Sequence, residues 1–186
     1  DALHRVPIRD GYARFSGLYI NAVGTYSLRV IAEDSEGFDF AFVVTETFEV
    51  LNGLPFELGL VGFPSAATGG STFNIEPTLQ VLDRGGNLVP VSDGAVDVAI
   101  NKGVLHGTVS QPIVNGVVVF AGRFIDEADS GYVLAFESGG VFDQVSTPPF
   151  TVFVGPPASL SFWTEIPSDD EPELVARAGL PFLRQP

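Results

Sequence analysis

The chain has 186 residues, 45% of them hydrophobic, with 16 Phe, 21 Gly, 14 Pro, no Cys and no Met, and a formal charge of −14. That apolar content excludes a disordered acidic tail, and the missing cysteines exclude disulfides, thiolate metal sites and a cysteine nucleophile. The 23 acids, spread along the chain against nine Lys and Arg, disfavour nucleic acid and anionic membrane as partners, and the longest apolar run, near VVVFAG (117–122), is far short of a membrane-spanning helix.

In chain order, the first stretches that recur later in the sequence are IRDGYARFSGLYI (8–20), TYSLRV (25–30) and FEVLNGLPFELGL (48–60). Beyond residue 54 the apolar period is two. Strands are expected near 56–63, 72–82, 95–101, 104–110, 114–124, 131–138 and 149–154. The turn signals DRGGN (83–87), SDG (92–94), NKG (101–103), VNG (114–116) and ESGG (137–140) separate them. Alternation groups Val96 with Val98 and Ile100, and Val117 with Val119 and Ala121. It likewise groups Tyr132 with Leu134 and Phe136, and Phe150 with Val152 and Val154. Each group is expected on one face of its strand. Seven short strands in about 100 residues form the pattern of a β-sandwich.

Four blocks recur in order at a period of roughly 102–109 residues. Ile8, Gly11, Phe15, Gly17 and Ile20 align with Ile113, Gly116, Phe120, Gly122 and Ile125. Tyr26 and Leu28 align with Tyr132 and Leu134. Phe48, Val50, Gly53, Pro55 and Leu58 align with Phe150, Val152, Gly155, Pro157 and Leu160. Gly70, Phe73 and Pro77 align with Gly179, Phe182 and Pro186. The expected organisation is therefore the C-terminal part of one repeat (1–53), a complete repeat (54–155) and the N-terminal part of a third (156–186). Neither end falls on a repeat boundary in this reading, so a segment of a longer tandem array is expected. The alternative is completion between molecules by strand addition, which would still lack the counterpart of 78–105.

DSGYVLAF (129–136) resembles the Asp-x-Gly/Ala-x-Tyr corner of immunoglobulin-like β-sandwiches, with one residue fewer between Gly and Tyr. PTLQVLDRGGNLV (77–89) resembles the second strand and following turn of the bacterial-type or filamin-like repeats that occur in tandem in large surface or filament proteins. The resemblance implies an all-β chain of tandem immunoglobulin-like sandwiches, one complete and two partial. It makes Tyr26 and Tyr132 corner tyrosines and implies no catalytic residues. No cysteine pair is present, and the one tryptophan, Trp163, lies at the start of the third repeat rather than in a core strand, which argues against an antibody-type domain.

Between Leu160 and Phe182 the later copy is about seven residues longer than the earlier one, within TEIPSDDEPELVARAG (164–179). A solvated acidic loop is expected there. A short helix capped by Ser168 and Glu171 is the alternative.

A search for chemistry yields little. His4 and His106 hold nearly equivalent repeat positions, which suggests a structural slot. No G-x-S-x-G elbow occurs, and DRGGN lacks the Lys and Ser/Thr of a phosphate loop. EDSEGFD (33–39) and DEAD (126–129) do not match an EF-hand. Solvated loops are expected, with a calcium site shared across a repeat boundary as the alternative. No N-x-S/T sequon is present, and TPP (147–149) and GPP (155–157) read as rigid turns. No catalytic, cofactor-binding or metal residue is therefore assigned, and no cofactor is expected.

The expected role is non-enzymatic: spacer repeats in an extracellular or cell-surface stalk or filament. Partners would be neighbouring repeats and other subunits of the assembly, without nucleic acid or membrane insertion. The links NGLP (52–55) and VGPP (154–157) would limit bending, because Pro restricts itself and its predecessor. An adhesin module using Phe162 and Trp163, or an accessory domain of a secreted hydrolase, are the alternatives.

Overall fold

β-branched and aromatic residues at every second position, punctuated by Gly and Pro, favour extended chains that pair. The computed structural model describes residues 4–34 and 36–157, and it is all-β. Among the described residues there is no helix. The strands are β1 (Gly24–Tyr26), β2 (Arg29–Glu33), β3 (Asp39–Val44), β4 (Phe48–Val50), β5 (Glu57–Gly62), β6 (Ala66–Thr68), β7 (Thr78–Leu82) and β8 (Ala95–Ile100). They continue with β9 (Leu105–His106), β10 (Ser110–Pro112), β11 (Val117–Val119), β12 (Phe124–Ile125), β13 (Asp129–Tyr132), β14 (Leu134–Glu137), β15 (Val145–Ser146) and β16 (Phe150–Phe153).

Residues 54–154 form a β-sandwich. One sheet has the order β10-β8-β14-β15 and the other β11-β7-β5, with the smaller ladders β13-β16-β6 and β12-β9 beside them. Inward side chains of both sheets share one core: Val96, Val98, Leu134 and Phe136 from the first, Leu58, Leu79, Val81 and Val118 from the second. Phe120 and Phe136 meet across it with ring centres 5.3 Å apart. Phe73 stands edge-on to Phe150 at 5.9 Å. Both separations suit the quadrupoles of the rings. β16 pairs with β6 in parallel, Val152 opposite Ala67.

Several expected strands are shorter or divided. The stretch 72–82 makes an isolated bridge at Thr72 to Phe124 but becomes a continuous strand only at Thr78, after the buried Pro77, which has no N–H to give a ladder. Its neighbour β6 lies in a run of small residues that carries no strand signal. The stretch 104–110 breaks at Gly107, whose φ of 103° lets Arg123 pack where a Cβ would lie 2.7 Å from Nη1. The stretch 114–124 breaks at Gly122, φ 73°. The stretch 131–138 starts earlier, at Asp129, and divides at Val133, whose N–H donates to Asn101 Oδ1 at 2.9 Å.

Two face assignments are corrected. Val118 and Phe120 are the fully buried pair, whereas Val119 is 45% exposed and Ala121 is exposed, so the inward face is the opposite of the expected one. Asn115 and Gly116, at φ 49° and 76°, make a tight turn that bonds Val114 to Val117 in both directions at 2.9 Å. That turn fixes the register that puts Val118 opposite Leu79. A one-residue slip would reverse every side chain, and three consecutive valines give no hint of the phase. Val154 is 83% exposed because β16 ends at Phe153.

The stretch before residue 54 repeats the local geometry of 113–154. Tyr26 Oη donates to Ala22 O at 2.9 Å, and Tyr132 Oη to Glu127 O at 2.9 Å, the bond of a tyrosine corner in both places. The ring of Tyr26 lies 6.4 Å from Phe48, tilted 35°; that of Tyr132 lies 6.0 Å from Phe150, tilted 36°. Leu28 N–H donates to Thr45 Oγ1 at 2.9 Å, as Leu134 N–H does to Thr147 Oγ1 at 3.1 Å. Arg29 pairs with Val44 as Ala135 pairs with Ser146. Asp10 and Gly11, at φ 51° and 81°, turn the chain between Arg9 and Tyr12 as Asn115 and Gly116 do between Val114 and Val117.

Candidate functional site

Among the described residues, a dense polar arrangement lies where the two stretches join. Its centre is the turn at 83–87. Asp83 Oδ1 accepts from the N–H groups of Gly85 at 2.8 Å and Asn87 at 2.9 Å, which closes the turn. Gly86, at φ 81°, completes it.

The same carboxylate also reaches the link between the stretches. Asp83 Oδ2 accepts from Gly53 N–H at 2.7 Å. Asn87 faces the preceding stretch with both ends of its amide: Nδ2 donates to Asn21 O at 2.6 Å, and Oδ1 accepts from Val23 N–H at 3.2 Å. Asn52 Nδ2 donates to Leu88 O at 2.7 Å. Arg84 stacks over Phe56, its guanidinium carbon 4.4 Å from the ring centre. Gly85 has no room for a side chain, since a Cβ would sit 2.4 Å from Asn21 O.

Asp83 is 4% exposed. Its carboxyl is held at about 2, against an ordinary 3.8, first by the Gly53 N–H and then by the backbone and side chain of Asn87. Those donors favour the charged form and outweigh the burial that opposes it. The turn DRGGN is thus a hairpin turn, as expected, with a second duty as the clasp of a joint. Sequence reasoning missed that duty. The Asp and Asn four apart are a local turn signal, and nothing local announces partners at Asn21, Val23 and Gly53.

Several of the other candidate groups make contacts within the fold. His106 stacks on Phe124 at 4.5 Å and 8°, with Nε2 2.8 Å from Asp126 Oδ2. His4 lies exposed outside any strand, so the two histidines are not placed alike. Of the DEAD cluster, Asp129 binds Lys102 Nζ at 2.7 Å, and this bond lowers its carboxyl below the ordinary range. Lys102 also donates to Ser130 O and lies over the Tyr132 ring. Burial pushes the Tyr132 hydroxyl upward. Of EDSEGFD, Asp34 Oδ1 accepts from the N–H groups of Glu36 and Phe38 at 3.0 and 2.9 Å, closing the β2–β3 turn. Among the described residues no three His, Asp or Glu side chains gather as a metal site. Arg123 is 4% exposed and donates through Nη1 to Ala121 O at 2.6 Å, while its Nε and Nη2 have no partner among the described residues. Phe162, Trp163, the insertion at 164–179 with Ser168 and Glu171, and the block of Gly179, Phe182 and Pro186 lie outside the described residues.

No protein-family model matches this sequence, and no curated protein matches it. Solved structures give remote likenesses. A glycosyl hydrolase family 2 member from Bacteroides cellulosilyticus has a TM-score of 0.46 at 12% identity, over 68% of this chain and 17% of its own. A β-glucuronidase from glycoside hydrolase family 2 has a TM-score of 0.45 at 15% identity, over 69% of this chain and 14% of its own. The D00-D0 domain of Intimin has a TM-score of 0.41 at 18% identity, over 72% of this chain and 67% of its own. With TM-scores below 0.5, none of the three carries an argument about function.

Proposed function

We propose that this chain is a non-catalytic structural module: successive immunoglobulin-like repeats acting as spacers in an extracellular stalk or filament. The observation that carries the reading is the joint. Asp83, Asn87 and Asn52 make four hydrogen bonds to or from the link and the preceding stretch, at Gly53, Val23, Asn21 and Leu88. A joint closed by hydrogen bonds at fixed spacing holds a direction along an array, which a flexible linker does not. The matched contacts around Tyr26 and Tyr132 support the repeat. The charge of −14 favours solubility and mutual repulsion of neighbouring arrays.

Residual dipolar couplings of the whole chain, measured for amides of 21–33 and of 95–100, test the reading. One alignment tensor should fit both sets. In Asn87→Ala the two sets should need separate tensors. Independent tensors in the unsubstituted chain would overturn the spacer reading.

A further inference from the structure

We infer that the stretch 8–53 carries an acceptor face for the front half of a repeat, a polypeptide segment with the strand pattern of residues 57–112. The inference rests on the repeat reading above. Its starting point is a difference in burial between matched side chains. Leu134 is 0% exposed and Phe150 3%, while their counterparts Leu28 and Phe48 are 40% and 37% exposed.

The sandwich identifies what covers this face when it is covered. There β14 has β15 on one edge and β8 on the other, with Leu134 opposite Ile100 and Phe136 opposite Val98. β16 has β13 on one edge and β6 on the other. Among the described residues, β2 of the earlier stretch pairs with β3 alone and β4 with β1 alone. The two edges left open are those that β8 and β6 occupy in the sandwich.

The residues 8–20 agree. Their counterparts form β11 and β12, which pair with β7 and β9, both from the front half. Without such partners 8–20 keeps its turn at Asp10 and Gly11 but has no strand. Open edges of matched register beside a half-exposed apolar face call for extended strands, with main-chain bonds for affinity and alternate side chains for the pockets. A front half-repeat presents both. Its Val96 and Val98 are 0% and 6% exposed against this face's counterpart in the sandwich.

The test is a chain in which residues 54–112 are copied ahead of Ile8, followed by the natural sequence to the end. Hydrogen exchange at the amides of β2 and β4 should slow at least tenfold relative to the unextended chain. A copied segment carrying Val96→Asp and Val98→Asp should not slow it. Two results would overturn the inference. The first is unchanged exchange at β2 and β4 while β8 and β14 stay protected. The second is slowing in the unextended chain that grows with concentration alongside a doubling of mass in sedimentation, which would make a second copy of this chain the occupant. Neither result bears on the dipolar couplings of the joint, so the spacer reading stands or falls separately.

Discussion

Residues 8–53 and 113–154 are built from the same turns, the same tyrosine corner and the same hairpin register, yet among the described residues only the second stretch contributes to the buried core. Tyr132, Leu134 and Phe136 are at most 1% exposed, and Phe150 and Val152 at most 3%. Tyr26, Val30 and Val50 are half-buried, and Leu28 and Phe48 more exposed still. The contacts common to both lie within one stretch: a two-residue turn, a tyrosine hydroxyl reaching back four or five residues, and a threonine hydroxyl that takes the Leu N–H across the next hairpin. The contacts found in only one need strands from 54–112. Local geometry is thus set by local sequence, whereas burial is set by partners far along the chain.

Paired substitutions sharpen this contrast. The largest difference is expected for Leu134→Ala against Leu28→Ala. The first should destabilise the sandwich by about 2–5 kcal/mol and the second by less than about 1, read from denaturant midpoints at constant slope. Equal effects would break the comparison. Next comes Gly116→Ala against Gly11→Ala. Both sit at positive φ, but a Cβ at Gly116 would lie 2.1 Å from Val89 O, while at Gly11 nothing lies within 4 Å. The first should cost about 2–3 kcal/mol and the second about 1. Third is Thr147→Val against Thr45→Val. Thr147 is 4% exposed, so the Leu134 N–H would lose its partner in the core at about 1–3 kcal/mol. Thr45 is exposed and water can replace it, so the change should stay within about 0.5 kcal/mol.

The most local effect belongs to the joint, where it is read as a titration. Asp83 is depressed in the folded chain, so its contribution is complete above the unfolded value of 3.8 and is lost as pH falls toward about 2. Amide resonances of Gly53 and Asn87 should therefore titrate near 2, while that of Leu134 should not follow them. A midpoint at 3.8 would show that the clasp does not hold Asp83.

Much of this was legible in the sequence. Alternation located β5, β8, β14 and β16, because a strand with one buried face must alternate. The Gly and Asn turns were visible for the same reason that they are needed: only those residues take positive φ at little cost. Three things were not legible. The phase of Val117, Val118 and Val119 is hidden by identical side chains. β6 and β15, three and two residues long, are too short to show an alternation. The joint depends on backbone groups at Asn21, Val23 and Gly53, and a backbone group has no signature in a sequence.

The parallel pairing of β6 with β16 has a mechanical meaning. A pull applied between residues 53 and 154 would draw these strands in opposite senses along a common axis. Their three registered pairs, Thr151 with Ala66, Val152 with Ala67 and Phe153 with Thr68, would then be sheared together. Rupture under tension would be an all-at-once event at this short patch, whereas a hairpin pulled from its open end unzips one rung at a time.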